Sequence, residues 1–268
     1  MAWLSDICVI DDLKITCLTV TKDRLELLKH AIDCYIAQTY INKDLLIASQ
    51  SSDAVNANIS AYLQILGRKD IRLFPIDPAV TLGEARRIAS IEAYGDIVCQ
   101  WDDDDHYHPK RLSTQYTEMI RNNAIACFYD SHLKLFKDEQ SLYWIDWSIE
   151  SDPWRRVLTG SVMFFKKHEG QYLNIVNFYP SKSCYEDADF AEKVFQTYPV
   201  SVSKHGYQYV YIYHGANVYD EVHHHRLLNS KRVLSVAEMC AKHSQITEAI
   251  SGLGKLNVMG SEGLAFIV

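Results

Sequence analysis

The first hundred residues of this 268-residue chain alternate strand-like and helix-like stretches, and that rhythm restricts the fold more than any other feature. Residues 14–20 (KITCLTV) are rich in β-branched side chains between polar flanks and predict a strand. Over 23–38, Leu25, Leu28, Ile32, Tyr35 and Ile36 return at helical spacing, with Asp23 placed to cap the helix. The pair then repeats. Residues 45–49 read as a strand, and Asp53 opens a helix that Gly67 closes. Residues 71–76 follow as strand, 82–94 as a helix stopped by Gly95, and 97–101 as a fourth strand. Strands separated by helices need crossover connections, so the expected class is α/β with a Rossmann-like, mostly parallel sheet. Such sheets bind ligands beyond the carboxyl ends of their strands.

The rhythm changes after Pro109. A helix to about residue 121 precedes strand-like stretches at 124–129, 133–136, 142–147 and 160–166, whose close succession predicts an adjoining mixed sheet. Residues 186–198 return to helix, 207–213 form an aromatic strand, and 227–244 predict a C-terminal helix. The expected division is one domain over 1–225, with halves at 11–105 and 106–220, followed by a helical tail at 226–268.

Composition narrows the function classes. A chain that is 48% hydrophobic and 23% charged builds an ordinary core. Its formal net charge of −7 argues against nucleic acid as a partner, because phosphate-backbone affinity comes from clustered cations. No apolar run is long enough for a membrane span, and residues 1–6 lack the basic and apolar regions of a signal peptide, so the expected location is cytoplasmic. Seven scattered cysteines, Cys8 among them and none spaced C-x-x-C, read as reduced, mostly buried small hydrophobes.

The fourth strand runs directly into Asp102, Asp103, Asp104 and Asp105. Adjacent carboxylates repel one another, and a compact state tolerates them when a cation lies between them. In isolation such a run also describes a solvated turn; its place at the end of a buried strand favours a site. Carboxylate oxygens suit Mg²⁺ or Mn²⁺. An EF-hand is a poor alternative, since counting from Asp102 puts Tyr107 where glycine is expected and Ser113 where glutamate is expected.

The segment from Gln100 to Leu112 (QWDDDDHYHPKRL) resembles the D-x-D-D-x-x-x-P signature of glycosyltransferase family 2. Residues 18–24 resemble that family's first strand and loop. Leu82-Gly83-Glu84-Ala85-Arg86-Arg87 with Ala93-Tyr94-Gly95-Asp96 resembles its L-G-x-A-R-N…A-x-G-[DE] helix. Gly160-Ser161 and Tyr185-Glu186-Asp187 resemble the acceptor-side strand and the E-D motif, and Tyr213-His214-Gly215-Ala216-Asn217 a late Y-H-G-x-N segment. The likeness spans roughly residues 14–220.

This resemblance implies the GT-A fold, with a nucleotide-binding half at 11–105 and an acceptor half at 106–220. It implies an inverting, Mn²⁺- or Mg²⁺-dependent transferase moving sugar from a nucleotide-sugar donor, a UDP-sugar by default, to a glycan or lipid-linked saccharide acceptor. Asp187 would be the general base, with Glu186 beside it. Thr19, Thr21, Arg24, Asp53, Gly83, Arg86, Asp102 and Asp103 would bind donor. Asp104 and His214 would hold the metal, with His223, His224 and His225 as alternative ligands or an exposed polar loop. The chain departs from the family at Ala48-Ser49-Gln50-Ser51-Ser52-Asp53, which keeps Asp53 but replaces the acids that read the base, and at Arg87, where asparagine is usual. Trp144, Trp147, Trp154, Tyr143 and Tyr185 fall in the acceptor half as core aromatics or a sugar platform. The rival readings are a metal-dependent phosphohydrolase or nucleotidyltransferase, and a non-catalytic binding module of the same fold.

Overall fold

The computed structural model describes residues 13–268; residues 1–12, with Cys8 and the segment read for a leader, lie outside the described residues. In chain order the elements begin β1 (Ile15–Thr21), α1 (Leu25–Ile36), β2 (Lys43–Ser49), α2 (Asp53–Leu66), β3 (Ile71–Pro75), α3 (Leu82–Glu92) and β4 (Ile97–Gln100). Next come β5 (His106–Tyr107), α4 (Arg111–Arg121), β6 (Ala126–Tyr129), β7 (Ser131–Phe136), β8 (Ser141–Asp146) and β9 (Leu158–Phe165). A small hairpin of β10 (Lys167–His168) and β11 (Gln171–Tyr172) precedes α5 (Glu186–Thr197), β12 (Val200–Ser203) and β13 (Tyr209–Tyr213). The chain ends with α6 (Glu221–Ser230), β14 (Arg232–Val233), α7 (Val236–Ala241), α8 (His243–Ala249), β15 (Asn257–Gly260) and β16 (Gly263–Ile267).

Seven strands form the main sheet in the order β12-β6-β9-β4-β1-β2-β3. The β4-β1-β2-β3 half is parallel, as the alternation requires, while β9 runs antiparallel between β4 and β6. Every residue of β1 except Val20 is buried, because helices cover both faces of a parallel sheet. Ile15 and Cys17 pack with α1, α2 and α4 on one face. Leu18 packs with α3 and α5 on the other. The chain reverses its progress across the sheet between β1 and β4, so a crevice opens at their carboxyl ends, where Thr21 and residues 102–105 emerge.

The second sheet has the order β16-β15-β8-β7-β13-β5, with β14 on β8, and packs over α7 and α8. Here the structure corrects the sequence reading. The segment 226–268 is not a helical tail: the helix expected at 227–244 is divided among α6, α7 and α8, and the glycine-bearing end adds β15 and β16 to the sheet. Capping dictates the breaks. Asp220 accepts from the His223 amide to open α6, and Ser235 with Glu238 forms a capping box that opens α7. The three histidines are helical, with His224 buried. At the front of the chain Asp23 caps nothing. It takes a left-handed φ of 55° and accepts from the Ser52 amide, leaving Arg24 at the N-cap of α1. Ser52 likewise replaces Asp53 as the N-cap of α2, whose left-handed Gly67 closes it as expected.

Helix α3 is pressed end-on against the loop before α5. A Cβ on Gly83 would lie 2.1 Å from the Pro180 carbonyl oxygen and 3.1 Å from that of Lys182. Gly83→Ala should therefore destabilise the fold by about 1–3 kcal/mol, measured as a lower midpoint in thermal or denaturant unfolding; an unchanged midpoint would show that the loop moves aside freely.

Candidate active site

The crevice opens into a cavity of about 620 Å³ lined by Thr21, Arg24, Arg86, the acids 102–105, Glu186 and Asp187. Each aspartate of the run meets a different partner. Asp102 Oδ1 accepts from Arg86 Nη2 at 3.0 Å, and Gln100 Nε2 donates to both of its oxygens. Asp103 accepts from the Thr21 hydroxyl at 2.5 Å and lies 3.5 Å from Arg24. Asp104 Oδ2 takes Arg24 Nη1 at 3.0 Å and faces His214 Nε2 at 3.3 Å. Asp105 points the other way, accepting the Tyr209 hydroxyl at 2.6 Å and the Ile212 amide at 2.9 Å.

Burial, and then the charge of Asp104, pushes the Asp103 carboxyl up to about 7 and Asp105 well above the ordinary range. Burial also raises Asp102, opposed by the Arg86 guanidinium. The four acids thus meet unequal surroundings: Asp105 ties the run to β13 through two accepted hydrogen bonds, whereas Asp102 and Asp104 keep cationic partners.

Arg86 reaches from α3 across the site, donating Nη1 to Glu186 Oε1 at 2.8 Å as well as Nη2 to Asp102. Burial raises the Glu186 carboxyl, and Arg86 counters it. Asp187 sits in the first turn of α5, with Oδ2 accepting from Thr159 Oγ1 at 2.6 Å and Oδ1 from the Ala188 amide. Tyr185, immediately before this pair, holds a left-handed φ of 58°, a strained conformation for a bulky residue. The segment carrying His214 is shaped by Asn217, which accepts from the His214 amide and donates to the Ile212 carbonyl.

The structure thus gathers Thr21, Arg24, Arg86, Asp102, Asp103, Asp104, Glu186 and Asp187 around one cavity and joins His214 to it through Asp104. Three expected residues lie off the cavity wall. Thr19 is wholly buried inside β1, Gly83 packs against Pro180, and Asp53 is exposed at the start of α2. Gln50 lines the cavity at the loop where the base-reading acids are missing. Of the aromatics, Trp147 and Tyr185 line it, while Trp144 is core. His225 turns to Glu139 and Glu221.

Sequence reasoning missed Lys134 and His132, which share one face of β7 and line the far end of the cavity with Trp147 and His224. Lys134 Nζ donates to His224 Nδ1 at 2.9 Å and sits 4.0 Å over the Tyr211 ring. The detectable signal was a lysine alternating with apolar residues inside a strand. Burial lowers its pKa to about 7 from an ordinary 10.5.

Among known proteins, the glycosyl transferase family 2 pattern matches residues 16–179. No curated protein matches the chain in sequence. The solved structure of S. aureus TarS 1–349 in complex with UDP-GlcNAc superposes with a TM-score of 0.59 at 12% identity, covering 89% of this chain and 67% of that one. The mannosyltransferase PcManGT from Pyrobaculum calidifontis, in complex with GDP-Man and Mn²⁺, gives 0.56 at 12% identity over 90% and 64%. Longer TarS extends well beyond the match, this chain covering 42% of it. Against another TarS 1–349 structure the coverage is 60% of that chain, so this protein spans between about two fifths and two thirds of the length of these structures. At these identities the likeness establishes a shared GT-A fold.

The unfolded chain holds the Lys134 proton to about 10.5 and the folded chain to about 7, so between those values the unfolded state binds more protons and stability rises with pH. Lys134→Met should accordingly raise the unfolding temperature by a wider margin at pH 6 than at pH 9; a margin independent of pH would show that burial does not disfavour the charge.

Proposed function

The chain belongs to glycosyl transferase family 2, and on that premise we propose that it is an inverting, metal-dependent enzyme that moves a sugar from a nucleotide-sugar donor to a glycan or lipid-linked saccharide. The observation that carries this reading is one cavity, at the carboxyl ends of β1 and β4, shared by the aspartate run and Asp187. Arg86, Arg24 and Thr21 line the donor side with Asp102 and Asp103, where a ribose and a diphosphate can meet both acceptors and cations. A UDP-sugar is the first donor to test. Gln50, in place of the usual acids, lines the cavity and would meet the base.

The donor set suits a divalent ion. Asp104 Oδ2 and His214 Nε2 are 3.3 Å apart, a spacing compatible with neighbouring positions about one ion, and carboxylate with imidazole suits Mn²⁺. Asp104 and His214 would hold it, and when bound it would neutralise charge growing on the departing diphosphate. Arg24, now on the same oxygen of Asp104, would release that oxygen and turn to phosphate.

Asp187 takes the proton of the acceptor hydroxyl as that oxygen attacks the anomeric carbon from the face opposite the leaving group. Thr159 and the Ala188 amide fix the carboxylate. Glu186 is a positioning residue: its bond to Arg86 keeps it out of proton transfer and sets the first turn of α5. Trp147 and Tyr185 give the acceptor end two aromatic faces on which sugar rings stack. Among the described residues no helix is long and apolar enough to cross a membrane.

Titration with a panel of nucleoside diphosphates should show binding that requires Mn²⁺ and that Asp104→Asn abolishes. Metal-independent binding, or unchanged binding in that variant, removes the run from donor recognition. Asp187→Asn should lower turnover by about 10²- to 10⁴-fold with nucleotide affinity retained. Full transfer by this variant excludes the base role. Phosphate release or nucleotidyl transfer without a sugar acceptor would indicate the hydrolytic rival, and donor binding without turnover the non-catalytic one.

A further inference from the structure

On the other side of the strand that leaves the aspartate run, three soft or borderline ligands converge. His30 and Cys34 stand one turn apart on α1, and His106 opens β5. His30 Nε2 lies 3.8 Å from Cys34 Sγ, Cys34 Sγ 3.5 Å from His106 Nδ1, and His106 Nδ1 3.2 Å from His30 Nε2. A tetrahedral zinc with bonds of about 2.0–2.1 Å to nitrogen and about 2.3 Å to sulfur separates two nitrogens by about 3.3 Å and nitrogen from sulfur by about 3.6 Å. All three edges are within a few tenths of an ångström of those values.

Orientation agrees with spacing. The ring centroids of His30 and His106 are 5.2 Å apart, so nitrogens at 3.2 Å are turned toward each other. His106 Nε2 donates to the Ala249 carbonyl at 3.1 Å, which places its proton on Nε2 and leaves the Nδ1 lone pair facing the other two ligands. That outer hydrogen bond is the usual support of a metal-binding histidine. Cys34 is buried beside the main core, while His30 is only partly buried. The other three-ligand group among the described residues, Glu139, Glu221 and His225, lies mostly exposed.

We propose that His30, Cys34 and His106 form a zinc site separate from the donor metal, one that fastens α1 to the start of β5. On binding, the Cys34 thiol gives its proton to solvent as the zinc–sulfur bond forms, and no electron is transferred. The site rests on none of the donor-site reading. It would hold the C-terminal end of the aspartate run from behind, because His106 follows Asp105 directly.

The test uses the whole chain, freed of metal by chelator and titrated with Co²⁺ and then Zn²⁺. The expected result is a thiolate-to-cobalt charge-transfer band that one equivalent of Zn²⁺ removes. It should persist in Asp104→Asn and vanish in Cys34→Ser. His30→Ala, at a partly buried helix position where truncation spares the core, should weaken Zn²⁺ binding by more than the about 10- to 100-fold typical of losing an outer partner. It decides the matter if Cys34→Ser does not fold. Absence of the band, its survival in Cys34→Ser, or its loss in Asp104→Asn alone would each overturn the proposal.

Discussion

The site depends on one guanidinium. Arg86 is nearly enclosed, and its two terminal nitrogens reach different parts of the fold: Asp102 at the end of β4 and Glu186 at the start of α5. Burying three charged groups is unfavourable until they meet, and removing one partner from such a set costs about 3–5 kcal/mol. The pairing therefore couples the parallel half of the sheet to the helix that carries Asp187. Backbone packing enforces the approach, since Gly83 lets α3 close on the Pro180 carbonyl and brings Arg86 within reach of Glu186. The proposed binding and catalytic groups are thus set by one contact between two helix N-termini.

Arg111 plays the corresponding part beneath the run. It is fully buried, donates Nη2 to the carbonyls of Gln100 and Ser161, and lies 4.4 to 5.1 Å from the rings of Tyr107, Tyr209 and Trp101. Tyr209 in turn donates to Asp105. A cation and its aromatic cage thus brace the backbone on either side of Trp101, while Asp105 anchors the far end of the run to β13. Asp102, Asp103 and Asp104 are left facing the cavity, with Asp102 and Asp104 against different cations.

The parallel half was legible because its signals are local. β-branched runs, helical spacing and stopping glycines located β1 to β4 and α1 to α3 to within a few residues. The acids were legible through their order along the chain, and nine of the twelve expected site residues converge on the cavity or on Asp104. Asp53 misled because an acid at the mouth of a helix signals a cap as readily as a ligand, and Ser52 holds the cap position instead. The C-terminal region resisted because the choice between one long helix and α6, α7 and α8 turned on the caps at Asp220 and Ser235, while β15 and β16 are strands only by virtue of β8 beside them. Lys134 stood out only as a lysine among apolar residues of a strand, and nothing local tied it to the site, because its partner, His224, is 90 residues away.

The same distance effect explains the cysteines. Counting C-x-x-C spacings argues against a zinc-cysteine framework, but it cannot find a thiol whose partners are histidines on another element. Cys34 and His30 have the i, i+4 spacing that puts two side chains on one helix face, and apolar neighbours at 28, 31, 32 and 35 made that face read as core alone. His106 completes the group only because β5 pairs with β13 and brings the residue after the acids back over α1. Residues 102–106 consequently face two chemistries in five positions. The carboxylates offer hard oxygen to the cavity, and the imidazole offers nitrogen to a thiol behind it. Hard and soft ligands sort different ions, so the two proposed metals would not compete for the same place on this short segment.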